Sequence, residues 1–595
     1  MAQIVLGGML AFMRVAIKTA VKVVLLMAGT MIFGVSSRAT TYFVSPSGDS
    51  ASAGTNAATS FKTIQKAASV AAPGDVVRVL AGVYEERVAP MVSGAPDRPI
   101  TYIAESTNVV VRGFNIEKGY IRVIGFEVSQ ANNPGGYNYS GIRIVNAEGV
   151  QILDCYVHDI DKTGIDYVKS NGLVIRGNRI SRCGQLSLPQ TGAQAINAGF
   201  STGGTTNVLI EYNSMSYVSD YLNPFGKNHL YRNNLIGPAY HDATVHIDGM
   251  QANGICSDSV MEANLSKDNF SPDNHFFLSQ TEGSTRWIIR GNVTIGSKGG
   301  LDCRLNTYYI YHNTFYDNLS YWTNSFQVLF TSSTGNVARN NIWHRSVNTN
   351  AFPYAVEKGS TLDADHDLVF ASRSLTSQPN SRTGDAKFSD PNTGILMPQP
   401  DSPACNGAGG ITRAVGAGTD STTLVAAVAG VFYVGDKITI GDSPLVGIQD
   451  IDLESNTITL TEPRTWTDGS PLRWEGRKEI GAYDYRSSGY NYSLQLALPG
   501  STVPPGLVAL AANVGNPEVV RMVEFRVDGI PVGMDDTAPF SVPWNAVGLD
   551  GTHTVEAIAY SRFASETLFL RSKGNLLVSA SGPVRPQPPK NLRVN

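Results

Sequence analysis

Asn178-Arg179-Ile180, Asn213-Ser214-Met215, Asn233-Asn234-Leu235, Asn292-Val293-Thr294, Asn313-Thr314-Phe315 and Asn340-Asn341-Ile342 repeat one short phrase, a turn carrying Asn followed by an apolar strand. Most of the intervals run to about 20 to 35 residues, the spacing of a solenoid. A unit of that size cannot bury its own apolar face, so neighbours must stack. Asn suits the turn because it tolerates left-handed backbone and can bond its own main chain or the next Asn along the stack. The Leu and Trp-Asp signatures of other repeat folds are absent. The expectation is an all-β chain built on a right-handed parallel β-helix, with the phrase running from about Gly141 to Ile342.

Within such a coil, alternate residues of each strand face the core and the solvent. With Ile142 and Ile144 inside, Arg143 faces out; with Ile165 and Tyr167 inside, Asp166; with Ile196 and Ala198 inside, Asn197. Further on, Ile247 inside puts His246 and Asp248 out, Phe276 and Leu278 inside put His275 out, and Leu301, Cys303 and Leu305 inside put Asp302 and Arg304 out. Gln327, between Phe326, Val328 and Phe330, closes the series. Adjacent turns lie about 4.8 Å apart, which places His246, Asp248, His275, Asp302 and Arg304 on one ridge. Every β-helix has a solvated polar face. Two histidines, two aspartates and an arginine converging from successive turns single this one out as the candidate site. Arg143, Asp166, Asn197, Gln251, Gln327 and Tyr240 are candidate substrate contacts. Lys267, Asp268 and Asp273 precede the His275 strand and Lys298 precedes the Asp302 strand, each within reach of the ridge.

The flanks carry a resemblance. Thr41-Tyr42-Phe43-Val44-Ser45-Pro46, Phe61-Lys62-Thr63-Ile64-Gln65-Lys66-Ala67, Pro73-Gly74-Asp75 and Ala81-Gly82-Val83-Tyr84 resemble the start of pectate-lyase-like β-helices, a superfamily that includes chondroitinase B, alginate lyases, pectate lyases and several glycosidases. In that setting Phe61 to Val70 is an amphipathic helix capping the open end of the coil, whose strand edges would otherwise recruit other chains. His246-Ile247-Asp248-Gly249-Met250-Gln251 resembles the Asn-Thr-Asp-Gly strand of polygalacturonase-type β-helices, without that family's His-Gly and Arg-Ile-Lys companions. The close of the coil resembles the superfamily at Phe388-Ser389-Asp390-Pro391, Ser402-Pro403-Ala404-Cys405 and Glu479-Ile480-Gly481-Ala482-Tyr483, but Ile411 to Arg477 interrupt it.

Domains are therefore expected as follows: a signal peptide over 1–39, the capped β-helix over 40–410, a small inserted β module over 411–477, the end of the helix domain over 478–487, an immunoglobulin-like sandwich over 488–580 and a proline-rich tail over 581–595. Alternation in Lys437-Ile438-Thr439-Ile440 and Thr457-Ile458-Thr459-Leu460 marks the insert, and Val523 to Gly529 with His553 to Ala557 look like immunoglobulin-like strands. The leader has basic Arg14, Lys18 and Lys22, an apolar run Val23 to Val35, and small residues around Ser37-Arg38-Ala39. Its apolar stretch is shorter than the roughly 20 residues of a spanning helix. Secretion without stable membrane insertion is the expectation, as a monomer. Charged residues make up 16% of the 595, with net charge −4, which argues against nucleic acid as a partner. Cys155, Cys183, Cys256, Cys303 and Cys405 show no Cys-x-x-Cys pair, so they read as core thiols, with Cys155 and Cys183 the one pair that neighbouring turns could bring together.

The ridge suits a polysaccharide, and two mechanisms fit it. A lyase on a uronic-acid polymer must neutralise the carboxylate, take the adjacent carbon-bound proton and release an oxygen. Arg304 or a calcium ion held by Asp242, Asp248 and Asp302 would neutralise, His246 or His275 would take the proton, and Lys298 would assist; the calcium is what the resemblance implies. An inverting hydrolase needs two carboxyl groups roughly 6.5 to 9.5 Å apart around a water, the separation expected for Asp248 and Asp302. An epimerase shares the proton abstraction. A non-catalytic carbohydrate-binding or adhesion protein is the reading from another class, with Tyr137, Tyr139, Tyr221 and Tyr240 as stacking surfaces. The β-elimination lyase is the leading expectation.

Overall fold

The computed structural model describes residues 39–131, 139–184, 194–199, 204–238, 247–252, 254–268, 274–279, 281, 285–296, 300–318, 326–344, 352–370, 378–391 and 395–580. Parallel strands coil from Thr41–Val44 to Arg382–Thr383. One face is a thirteen-stranded parallel sheet running from Thr41–Val44 through Gln151–Leu153 and Arg286–Arg290 to Leu362–Asp365, each strand bonded to the next turn's. Inward positions stack in register, as in Val123, Ile152, Ile175, Ile210, Tyr231 and Met261, all of them core residues. Burial of each such side chain contributes about 2 kcal/mol.

Asn178, Asn213, Asn234, Asn264, Asn292, Asn313 and Asn341 form an unbroken ladder. Each Oδ1 from Asn213 onward accepts the main-chain and side-chain N–H of the Asn one turn back, at 2.9 to 3.1 Å. Asp367 ends the ladder by accepting from Asn341 N at 2.8 Å. The left-handed backbone expected of these Asn residues belongs instead to the residue before each: Gly177, Tyr212, Asn233, Ala263, Gly291, His312 and Asn340 all have φ between 51° and 71°. One residue makes the corner and the next fills it. Where Tyr212, Ala263 and His312 stand at the corner, the left-handed backbone costs roughly 1 kcal/mol each.

The amino-terminal cap is a helix over Ile64–Ala68, shorter than Phe61 to Val70, with Thr63 at its N-cap accepting from Lys66 N, and Ile64, Ala67 and Ala68 buried. Cys155 and Cys183 are kept apart by the register, since Cys183 pairs with Ile160 and Tyr156 with Arg179; Cys155, Cys183, Cys256, Cys303 and Cys405 are all free thiols.

After the antiparallel pair Phe388–Asp390 and Ile395–Pro398, a six-stranded antiparallel module spans Thr412–Arg413 to Pro471–Trp474. Its core, including Leu424, Ile438 and Leu460, continues into Val260, Ile288 and Tyr311 on the outer face of the thirteen-stranded sheet. Ile480, Ala482 and Tyr483 return to the coil, packing with Val293, Ile342 and Leu368. A two-sheet sandwich follows, with strands from Ser493–Ala497 to Phe569–Val578 around Leu510, Phe525 and Trp544. It docks on the same face through buried ion pairs. Arg176 reaches Glu211 at 2.6 Å and Glu524 at 2.8 Å, Arg526 bonds both Glu524 and Asp154, and Arg521 holds Glu262 at 2.7 Å. Among the described residues, no helix is long and apolar enough to cross a membrane.

Candidate active site

The ridge strands lie away from the docked sheet, and their parity is as expected through Asn197. Ile142, Ile165 and Ile196 stack inward, while Arg143, Asp166 and Asn197 stack outward in register. Arg143 Nε lies 3.8 Å from Asp166, and Asn197 Nδ2 donates to Asp166 at 2.9 Å. Burial raises the Asp166 pKa against the opposing pull of Asn197 and Arg143. The outward column continues through Asn223.

From there the strict alternation fails. Phe276 and Phe277 are both core residues, and the strand is interrupted between Asn274–His275 and Phe277–Ser279. The core column therefore runs Met250, Phe277, Leu301, Val328, while Leu278, buried as expected, is in register with Gln251 and Asp302. Leu305, expected inside, is exposed and left-handed at φ 64°. Close stacking at the interruption requires glycine. A Cβ on Gly249 would lie 2.7 Å from Phe276 O, and one on Gly300 would lie 1.7 Å from Gln327 O.

Each turn here carries two polar positions three residues apart: Thr163 and Asp166, Gln194 and Asn197, Asp220 and Asn223, Asp248 and Gln251, and then His275 with Leu278. The first members form a hydrogen-bonded row. Thr163 Oγ1 donates to Gln194 Oε1 at 3.3 Å, Asp248 N donates to Asp220 Oδ1 at 3.2 Å, and Asp248 Oδ1 accepts from His275 N and bonds His275 Nδ1, each at 2.9 Å. Burial, and then the Asp248 carboxylate, push the Asp220 pKa up to about 7. Gln194 and Asp220 have the parity of inward Ile196 and Leu222, so a period of two hides them as core positions; the polar-x-x-polar repeat is their signal in the sequence.

Asp302 sits three positions further along the strand than the Asp248 and His275 column, so the ridge is two columns and not one. Side chains close the gap: His275 Nε2 lies 3.9 Å from Asp302 Oδ2, and Asp302 holds Arg304 with both oxygens, at 2.8 Å to Nε and 2.5 Å to Nη2. These side chains are not solvated as expected. Asp248, His275 and Asp302 are at most 3% exposed, whereas Arg304 is 34% exposed. Gln327 is buried and Gln251 half-buried.

Lys267 does not reach over the ridge, because it pairs with Glu566 of the sandwich at 2.5 Å. Tyr221 is fully buried and offers no stacking surface, whereas Tyr139 is exposed. His246, Tyr240, Asp242, Asp273, Lys298 and Tyr137 lie outside the described residues. Of the three aspartates expected to hold calcium, Asp242 lies outside the described residues, Asp302 bonds Arg304 with both oxygens, and Asp248 Oδ1 bonds His275; among the described residues no three His, Cys, Asp or Glu side chains converge to hold an ion.

Residues 494–557 match the sequence model of a bacterial Ig domain. No curated protein matches the chain in sequence. Among solved structures the chain is similar to a pectate lyase, at 14% identity and TM-score 0.41 over 62% of this chain and 92% of that one. It is similar to XylC, solved with xylose, at 13% identity and TM-score 0.41 over 74% and 98%. It is also similar to PfbA, a surface adhesin of Streptococcus pneumoniae, at 12% identity and TM-score 0.38 over 52% and 84%. The chain is a parallel β-helix with a carboxy-terminal immunoglobulin-like domain, as its strand register and the domain match establish.

Proposed function

We propose that the protein is an exported polysaccharide lyase that cleaves a uronic-acid-containing polymer by β-elimination at the Asp248, His275, Asp302 and Arg304 cluster. The observation that carries this reading is the imidazole of His275 standing between two carboxylates, 2.9 Å from Asp248 and 3.9 Å from Asp302. An inverting hydrolase needs a water in that space.

In this reading Asp248 accepts Nδ1–H and leaves the lone pair of His275 on Nε2 to take the proton from C5 of the uronate; Nε2 is buried, so the cover over it must open for substrate. Arg304, fixed in a fork by Asp302 and partly exposed, meets the substrate carboxylate and stabilises the charge that develops as C5 loses its proton. The C5–H electrons become the C4=C5 bond, the C4–O bond breaks, and the departing oxygen takes a proton from solvent. Arg143, Asp166, Asn197, Asn223 and Gln251 continue along the same outward column and serve as subsites for neighbouring sugars. No step runs through calcium.

The test is ultraviolet absorbance of the unsaturated product on a panel of pectate, alginate and glycosaminoglycans. Absorbance is expected with one polymer, and the Arg304→Ala protein should lose about a hundredfold in kcat/KM. New reducing ends without absorbance would replace the lyase by a hydrolase. Retention on an affinity gel with neither signal would make the protein a binding module.

A further inference from the structure

Where the coil, the inserted module and the immunoglobulin-like domain meet, the walls enclose a cavity of about 310 Å³. Leu230, Val434, Trp474 and Met522 supply its apolar lining; Arg232, Arg290, Lys437, Arg521 and Arg562 face Glu262, Asp436, Glu475 and Asp536 across it. The charges nearly balance, but the hydrogen bonds do not. Glu262 gives one oxygen to Arg290 and the other to Arg521, and Asp436 gives both of its oxygens to Arg290. Glu475 accepts from Arg562 at 3.3 Å.

The cations keep capacity in reserve. Arg232 spends only its Nε, on Glu211 at 2.7 Å. The Nε–H groups of Arg521 and Arg562 are buried with no partner among the described residues. Lys437 is exposed at the rim. Glu262 and Asp436 are thus occupied by Arg290 and Arg521, Glu475 uses one oxygen on Arg562 and Asp536 one on the Thr537 hydroxyl, while several N–H donors on four cations remain available. Buried donors without acceptors cost free energy that an acceptor-rich anion would return. The volume matches the smaller ligand pockets, on the order of 300 Å³, and a meeting of domains is where such pockets concentrate.

We infer that this cavity is a second saccharide site, taking the carboxylate of a uronate unit between Arg232, Arg521, Arg562 and Lys437. It rests on the anionic substrate class proposed above but not on the chemistry of the ridge, which lies on other strands. A polymer segment held here gives the two appended modules a direct part in binding.

The test is calorimetric titration of the full chain carrying Arg304→Ala, so that the ridge is disabled, with short oligomers of galacturonate, mannuronate and glucuronate, their neutral methyl esters and a sulfated disaccharide. One acidic oligomer should bind, its methyl ester about tenfold or more weaker, and the added pair Lys437→Gln and Arg562→Gln should weaken the acid by at least about tenfold. Lys437 carries no ion pair, so Lys437→Gln alone, with an unchanged melting curve, stands in if the pair unfolds the chain; a loss of about threefold is then expected. Equal binding of acid and ester, an affinity indifferent to these substitutions, or binding of the sulfated sugar alone would overturn the assignment, as would no binding of any uronate. Turnover by the unsubstituted protein is read separately, so a failed lyase assay leaves this result standing.

Discussion

Two rows of buried polar side chains run along this coil, and they are built on opposite rules. The Asn ladder repeats one residue, and every rung satisfies the one before it with the same bonds at 2.9 to 3.1 Å. The ridge row changes at each turn, Thr163, Gln194, Asp220, Asp248, His275, and sets two carboxylates side by side. A neutral amide is donor and acceptor at once and can copy itself indefinitely. Burial and then the repulsion between adjacent carboxylates make one of them, Asp220, hold its proton to near neutrality. The uniform row holds turns together; the varied row stores a titratable group and an oriented imidazole where a reaction can use them.

The sharpest way to separate the rows is His275→Gln, which keeps a polar side chain. Turnover should fall about a thousandfold, or roughly 4 kcal/mol on the barrier, while the urea midpoint moves little. A comparable loss of stability would place His275 with the ladder. In the ladder itself, Asn292→Ala removes bonds to Met261 O, Asn264 and Asn313. Unfolding free energy should drop by about 3 kcal/mol, read by urea denaturation, with kcat unchanged in the surviving folded fraction.

The smallest effect is a matter of pH. Because the Asp220 carboxyl titrates near 7 when folded and near 3.8 when exposed, the native chain binds a proton that the unfolded chain releases across that window. Stability contributed by this site therefore declines as pH rises from about 4 to 7. Asp220→Asn should flatten that decline in melting curves taken across the window. An unaltered slope would remove Asp220 as its source.

The same contrast explains what could be read from the sequence. The ladder was legible because it repeats: six of its seven Asn residues stand in the recurring phrase, and only Asn264 was passed over. The outward positions Arg143, Asp166 and Asn197 were legible because their strands keep a period of two. At Phe276-Phe277 two consecutive residues enter the core and the period of two slips, so that Leu278, although buried, stands in the column of Gln251 and Asp302. The columns of Asp248 and Asp302 merged into one for the same reason. Burial was not legible at all, since alternation says which way a side chain points but not what covers it.

The docked modules also change how the coil can come apart. A bare solenoid frays from its ends, since each turn touches only its neighbours. Here Arg526 ties Asp154, Arg521 ties Glu262, and Asp436 of the insert ties Arg290, so that chain segments hundreds of residues downstream brace the middle turns. Peeling from the carboxy-terminal end must first release these braces. Turn-by-turn loss is thereby converted into a single cooperative melting event, in which the middle turns, the insert and the sandwich are lost together.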